Sequence, residues 1–256
     1  MADSEPVLIV GAGMAGLACA GTLQDAGVPF LLFDRDEEVG GRVRTDLVDG
    51  YRLDRGFQVL LTAYPEAQKF LDYEALNLKA CYPGSRVWFG DWVHRVADPF
   101  RHPIDGIMSL GNPIGSLLDK IRVGMMRTGL RSTKSMPDDL STLDALSKLG
   151  FGPAMIDRFW KPFMRGVFLE NELSTTVRKF EETFRLFAQG DTVLPRLGIG
   201  ELPKQMAGKL PQESLALGTE ITKVDARAIE SADGKRFEGR AVVLATDIDP
   251  ANRLLG

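Results

Sequence analysis

Cysteine is scarce in this chain: Cys19 and Cys81 are the only two among 256 residues. That excludes a disulfide framework and any clustered thiolate metal site. The two histidines, His94 and His102, have no cysteine near them and lack the dense spacing of metal ligands, so no metal is expected. Long apolar runs are also missing. The longest, 7–10 and 241–245, fall far short of the ~18–20 residues that cross a bilayer. Residues 1–6 are polar and acidic, without the charged start and apolar core of a secretory signal, so a cytoplasmic location is expected. Nor is there an excess of positive charge. At a net −4 the chain is not built to track a nucleic-acid backbone, and a small-molecule substrate is the expected partner. No internal repeat or low-complexity linker interrupts it.

What is present fits a globular α/β protein: 44% hydrophobic and 26% charged residues. The β-branched run 7–10 reads as a strand buried on both faces. A glycine-rich turn follows, then a helix over 14–26 that Gly27 ends, then a second buried strand over 29–34. Strand, helix and strand within about thirty residues make a right-handed βαβ unit. Further on, 51–61 is extended and 64–76 helical with Pro65 in its first turn. A hairpin is expected over 87–96 around Gly90-Asp91. Helices are expected over 114–127, 142–148, 153–163 and 175–188. After Gly198 the α/β pattern resumes: a helix over 201–210, a strand within 215–224, a hairpin turn at Asp233-Gly234, and a fully buried strand over 241–245. The order predicts a Rossmann-type domain made of 1–80 and 195–256, a parallel sheet with a β-meander. A largely helical domain over 81–194 interrupts it.

Three motifs carry chemistry. Gly11-Ala12-Gly13-Met14-Ala15-Gly16 is a full G-x-G-x-x-G between a strand and a helix. Gly11 allows the tight turn, Gly13 lets backbone approach a pyrophosphate, and Gly16 lets helix and strand pack. The helix start presents free N–H groups, those of Met14 and Ala15 among them, and a partial positive charge. Asp34 closes the second strand, where a carboxylate accepts the ribose hydroxyls of an adenosine and repels a 2′-phosphate, which disfavours NADP. Arg35 follows it. Glu38-Val39-Gly40-Gly41-Arg42 then brings a second glycine pair and a planar cation to the dinucleotide, a feature NAD-only domains do not need.

Taken together, these motifs resemble the opening of the flavin-containing amine oxidase superfamily, which includes protoporphyrinogen oxidases and phytoene desaturases. Later segments extend the resemblance. Asp54-Arg55-Gly56-Phe57-Gln58 is similar to the segment passing the flavin ring. Residues 159–168 resemble a helical substrate-domain segment of the desaturase-like and porphyrinogen-oxidase-like members. Residues 197–203 resemble the glycine-rich entry to the second cofactor-domain segment. Glu220-Ile221-Thr222-Lys223-Val224 resembles the strand whose backbone meets the adenine, and Ala245-Thr246 the strand end near the cofactor. The resemblance implies FAD as cofactor. The implied contact residues are Gly11, Gly13, Met14, Ala15, Gly16, Asp34, Arg35, Gly40, Gly41, Arg42, Gly56, Phe57, Gln58, Ile221, Ala245 and Thr246. It also implies an oxidoreductase that passes hydride from a substrate C–H to flavin N5.

Departures exist. The family more often has Glu where Asp34 stands and Arg where Asp36 stands, and its members continue for over a hundred residues past this point, so a truncated or shortened homologue is expected. No catalytic acid or base stands out; Gln58, Tyr51 and Asp54 are open choices. Two other readings stay open: a non-catalytic flavin-binding fragment or partner subunit, and an NAD-dependent dehydrogenase. Cys19 is expected to act as a small buried hydrophobe. Trp88, Trp92, Trp160 and Phe163 are expected in the core. The segment 114–134, with Leu117, Leu118, Ile121 and Met125 beside five cations, reads as a core-facing stripe with a solvated basic face; peripheral membrane contact is the alternative.

Overall fold

A computed structural model describes residues 5–56 and 58–256. They form two compact units. The first holds residues up to 60 with 64–80 and 193–256; the second holds 61–63 and 81–192.

The first unit is built on strand β1 (Val7–Val10), helix α1 (Met14–Asp25) and strand β2 (Phe30–Phe33). β1 pairs in parallel with β2 on one side and with Ala241–Leu244 on the other; Leu215–Ala216 adds to the far edge of β2. Alternation along β1 explains its uniform hydrophobicity. Val7 and Ile9 join Leu17 and Ala20 of α1 in one cluster. Leu8 and Val10 join Phe33, Ile221 and Ile229 in another. The second face is covered by an antiparallel three-stranded sheet, Ile221–Val224, Ala228–Ser231 and Arg236–Glu238, with the Phe33 and Phe237 rings 4.8 Å apart. Each fully buried Leu or Ile here contributes about 1.5–3 kcal/mol. Gly234, at φ +82°, makes the expected turn.

Three expectations need correction in this unit and the next. Ala241–Leu244 is half-buried throughout rather than fully buried, because among the described residues it is an edge strand with β1 as its one neighbour. The helix expected over 64–76 stops at Phe70. The Asp72 carboxylate accepts from the N–H groups of Glu74 and Ala75, which turns the chain locally instead of continuing the helix. In place of one helix over 153–163, Pro153–Met155 leads into a wide π turn over Ile156–Trp160 and a further helix, Lys161–Phe168. Pro162 has no N–H for the preceding turn, which accommodates the widened ladder.

The second unit centres on Trp160, fully buried, whose ring meets Phe151, Phe159, Phe180 and Phe184 at centroid distances of 5.1–6.0 Å. Leu146, Leu149, Met155, Ile156, Met164 and Leu173 are buried in the same cluster. Asp119 organises a polar node beside it. Its side chain accepts from the backbone N–H and hydroxyl of Ser116, from Gly152 N–H at 2.9 Å and from Arg122 at 3.1 Å. Ser116 in turn caps the helix Leu117–Arg127.

Here too burial departs from expectation. Trp88 and Trp92 sit on the expected hairpin, Gly84–Phe89 with Trp92–Ala97, but are 70% and 75% exposed. The stripe of 114–134 is reversed: Leu117, Leu118 and Ile121 are exposed. Three of its five cations are held by protein groups instead. Lys120 donates to the carbonyls of Leu110 and Asn112, Arg122 pairs with Asp119 and Arg127 with Asp98. Periodicity states which residues share a face; the anchors on the other face decide which way it turns.

Candidate cofactor site

The carboxyl ends of neighbouring parallel strands converge in the first unit. Gly11 follows β1, Asp34 follows β2 and Ala245-Thr246 follows Ala241–Leu244. In open α/β sheets this end is where ligands bind.

Steric demands at the glycines are specific. Gly11 has φ +111°, and a Cβ on it would stand 2.7 Å from the Ala245 carbonyl oxygen. A Cβ on Gly16 would stand 1.8 Å from the Gly11 oxygen, so α1 can lie this close to β1 only with glycine there. At Gly13 the reverse holds. Its φ is −73°, and nothing lies within 4 Å of where a Cβ would be. The open space over Gly13 is where a ligand's backbone-hugging group fits. Gly40 N–H donates to the Ala12 carbonyl at 2.8 Å, and Gly40 bridges Gly13. Gly41, at φ +56°, stands with its Cβ direction 3.6 Å from the Gly13 Cα. The two glycine segments thus lie side by side.

Electrostatics match an anionic ligand. α1 starts at Gly13 with no side-chain cap and no acidic residue in its first turn, which holds Met14, Ala15 and Gly16. Arg42 is exposed and pairs with Asp247 at 3.1 Å. A surface pair of that kind contributes about 0–1 kcal/mol, so exchanging Asp247 for a phosphate costs little. Arg35 is exposed beside Asp34. The Asp34 carboxylate accepts from Ala12 N–H at 2.6 Å and Asp36 N–H at 2.9 Å. A carboxylate offers about four acceptor positions, which leaves two for a pair of ribose hydroxyls.

The remaining expected residues fall around this centre unevenly. Gln58 donates to the carbonyls of Arg42 and Arg55, both at 2.7 Å, which ties the loop holding Gly56 to the second glycine segment. Phe57 lies outside the described residues. The Ile221 side chain is packed in the core; Thr219 N–H, two residues earlier, donates to the Asp34 carbonyl at 2.7 Å and brings that strand entry beside the acid. Of the open catalytic choices, Tyr51 is exposed and Asp54 is structural. The Asp54 carboxylate accepts from Thr45 Oγ1 at 2.5 Å and from Ile199 N–H at 3.0 Å, while Gly200 N–H donates to Thr45 Oγ1 at 2.8 Å. Cys19 is half-buried among apolar neighbours, and burial pushes its thiol up, away from reactivity.

Sequence reasoning missed Thr45, Arg44 and Pro203. Arg44 reaches Asp36 at 2.9 Å and Glu38 at 3.5 Å, closing the loop between the acid and the glycine pair. Pro203 stands 2.9 Å from a Cβ position on Gly40, another reason for glycine there. The one sequence signal for these was the Gly198-x-Gly200 spacing, since a Cβ on Gly198 would stand 2.4 Å from Thr45 Oγ1.

The glycine cradle, the uncapped helix start and the strand-end acid define a dinucleotide-binding flavoprotein fold. The chain belongs to the flavin-containing amine oxidoreductase family, whose model matches residues 14–255. Its cofactor is FAD. Protoporphyrinogen oxidase 2 of Arabidopsis thaliana is 28% identical over 167 residues, 64% of this chain and 32% of that enzyme. Phytoene desaturase of Fusarium fujikuroi is 31% identical over 93 residues, 34% of this chain and 16% of that enzyme. The fold of putrescine oxidase with bound putrescine superposes with a TM-score of 0.66 at 19% identity, covering 98% of this chain and 60% of the other. The matched stretch therefore covers a third or less of each of these two enzymes.

Proposed function

We propose that this chain forms the FAD-holding part of an oxidoreductase that oxidises a C–H or C–N bond of a small or lipophilic substrate. The observation that carries the reading is the paired glycine cradle beside Asp34. In it, the N–H groups at Gly13, Met14, Ala15 and Gly16 receive the pyrophosphate, with Arg42 exchanging Asp247 for phosphate charge. Asp34 accepts the ribose hydroxyls while Ala12 and Asp36 hold its carboxylate in place. Gly56, Gln58, Ala245 and Thr246 border the site, and Arg35 stands exposed beside the acid. The bound flavin supplies at N5 the acceptor for a substrate hydride. Residues 81–194 are assigned to the substrate domain on the likeness of 159–168. The porphyrinogen and carotenoid enzymes among the relatives favour a lipophilic substrate over an amine. The test is anaerobic mixing of the flavin-loaded protein with a porphyrinogen, a polyene and a polyamine. Bleaching of the flavin band by one of the first two is expected; bleaching by the polyamine alone overturns the substrate assignment, and none by any supports the non-catalytic reading.

The exposure of Leu117, Leu118 and Ile121 favours a second reading, peripheral membrane contact through 114–134. No described helix is long and apolar enough to cross a membrane. Co-sedimentation with anionic vesicles at low salt is expected and is lost in Leu118→Glu; equal sedimentation of the variant removes the reading.

A further inference from the structure

The hairpin of the second unit places two cations opposite one another. Arg86 is the direct cross-strand partner of Arg95, and Trp88 of Val93. Alternation puts Arg86, Trp88, Val93 and Arg95 on one face, the exposed one. Like charges directly opposite in a sheet are destabilising, because their Cβ atoms are only about 4.5–5.5 Å apart. One protein carboxylate relieves the pair on one side. Arg95 donates to Asp105 at 2.9 Å, and Asp105 also accepts from the Tyr82 hydroxyl. Among the described residues no carboxylate reaches Arg86. A cleft of about 230 Å³ opens at this point, lined by Tyr82, Gly84, Ser85, Arg86 and Arg95. Its floor is backbone: a Cβ on Gly84 would stand 2.7 Å from the Val96 oxygen and 3.0 Å from the Tyr82 ring.

We propose that this face binds an amphiphilic anion, a carboxylate or phosphate that lies between Arg86 and Arg95 with its apolar body along Trp88 and Val93. The anion supplies the charge the arginine pair lacks, in a fork geometry suited to two guanidinium groups. The apolar body covers Trp88 and Val93, which are otherwise 70% and 54% exposed. The proposal is independent of the cofactor site.

Tryptophan emission reads the binding, because Trp160 is buried while Trp88 and Trp92 are exposed. The probe is decanoate below its micelle concentration, added to the full chain carrying Trp92→Phe so that Trp88 dominates the exposed signal. A saturable blue shift is expected. Decanol, with the same body and no charge, should need at least tenfold more for the same shift. Arg86→Met should raise the half-saturating decanoate concentration at least tenfold with a thermal midpoint equal to or above the parent's, since it removes the like-charge repulsion and, among the described residues, no ion pair. Phosphatidylglycerol vesicles form a second arm: an Arg86-dependent shift with vesicles alone assigns the anion to a lipid headgroup, and one with decanoate assigns it to a free amphiphile. Decanol binding as well as decanoate, or Arg86→Met binding both probes like the parent, overturns the proposal.

Discussion

Gly16→Ala is expected to abolish flavin retention. The added Cβ would stand 1.8 Å from the Gly11 carbonyl oxygen, well inside contact distance, and 3.4 Å from the Ala245 Cβ. Neither neighbour is a flexible side-chain end, so α1 must move away from β1. Overpacking of this kind costs about 1–3 kcal/mol, and the displaced helix start no longer aims its N–H groups at the pyrophosphate. A loss of FAD affinity of about a hundredfold or more follows, of the order that an ångström of misplacement causes in a preorganised site. Gly13→Ala separates binding from folding. Its Cβ meets nothing within 4 Å, and its φ of −73° suits alanine. That variant should unfold within ~0.5 kcal/mol of the parent, as substitutions free of clashes do, yet bind FAD more weakly because the methyl stands where the ligand passes. Flavin absorbance after purification, with urea unfolding of both variants, checks the pair. Normal FAD content in Gly16→Ala would contradict the packing account.

Asp119→Ala is the second large effect, and it falls on the other unit. The side chain is buried and holds the Ser116 cap, the Gly152 N–H and the Arg122 guanidinium at once. Its removal strands several donors together, a loss of about 3 kcal/mol. Burial is the largest single influence on this carboxyl and opposes its ionisation, but the bonds from Ser116, Gly152 and Arg122 together outweigh it and hold it below the usual carboxylate range. The sign follows from that depression. The contribution is complete above the unfolded-state value of about 3.9 and is lost as pH falls below it toward the folded value. Urea midpoints from pH 7 to pH 3 should fall for the parent and fall less for Asp119→Asn, whose amide does not titrate. Parallel curves would show that Asp119 does not supply this acid sensitivity.

Legibility in the sequence followed the range of the determining forces. The run Val7–Val10, the Gly11–Gly16 turn, α1 and the Gly90-Asp91 hairpin are local, and each is found where its residues point. Asp34 was legible because strand length alone places it at the end of β2, next to the Gly11 turn. Burial was less legible. Ala241–Leu244 has the composition of an inner strand, but its place at the sheet edge is a fact of topology. Trp88 and Trp92 are large and apolar, yet a hairpin has two faces and composition does not say which one is covered. The stripe of 114–134 turned outward because Asp119 and Arg127 have partners at Gly152 and Asp98 that no helical period encodes. The Thr45–Asp54–Gly200 tie was invisible for the same reason, since it joins segments more than 140 residues apart.

The most direct measurement of the central claim is cofactor titration of the purified chain, followed by flavin fluorescence quenching, with NAD as competitor. The account predicts uptake of one FAD per chain, unaffected by NAD and weakened at least tenfold by Asp34→Ala. A colourless protein that takes up NAD but not FAD, or an Asp34→Ala variant that holds FAD as tightly as the parent, would contradict it.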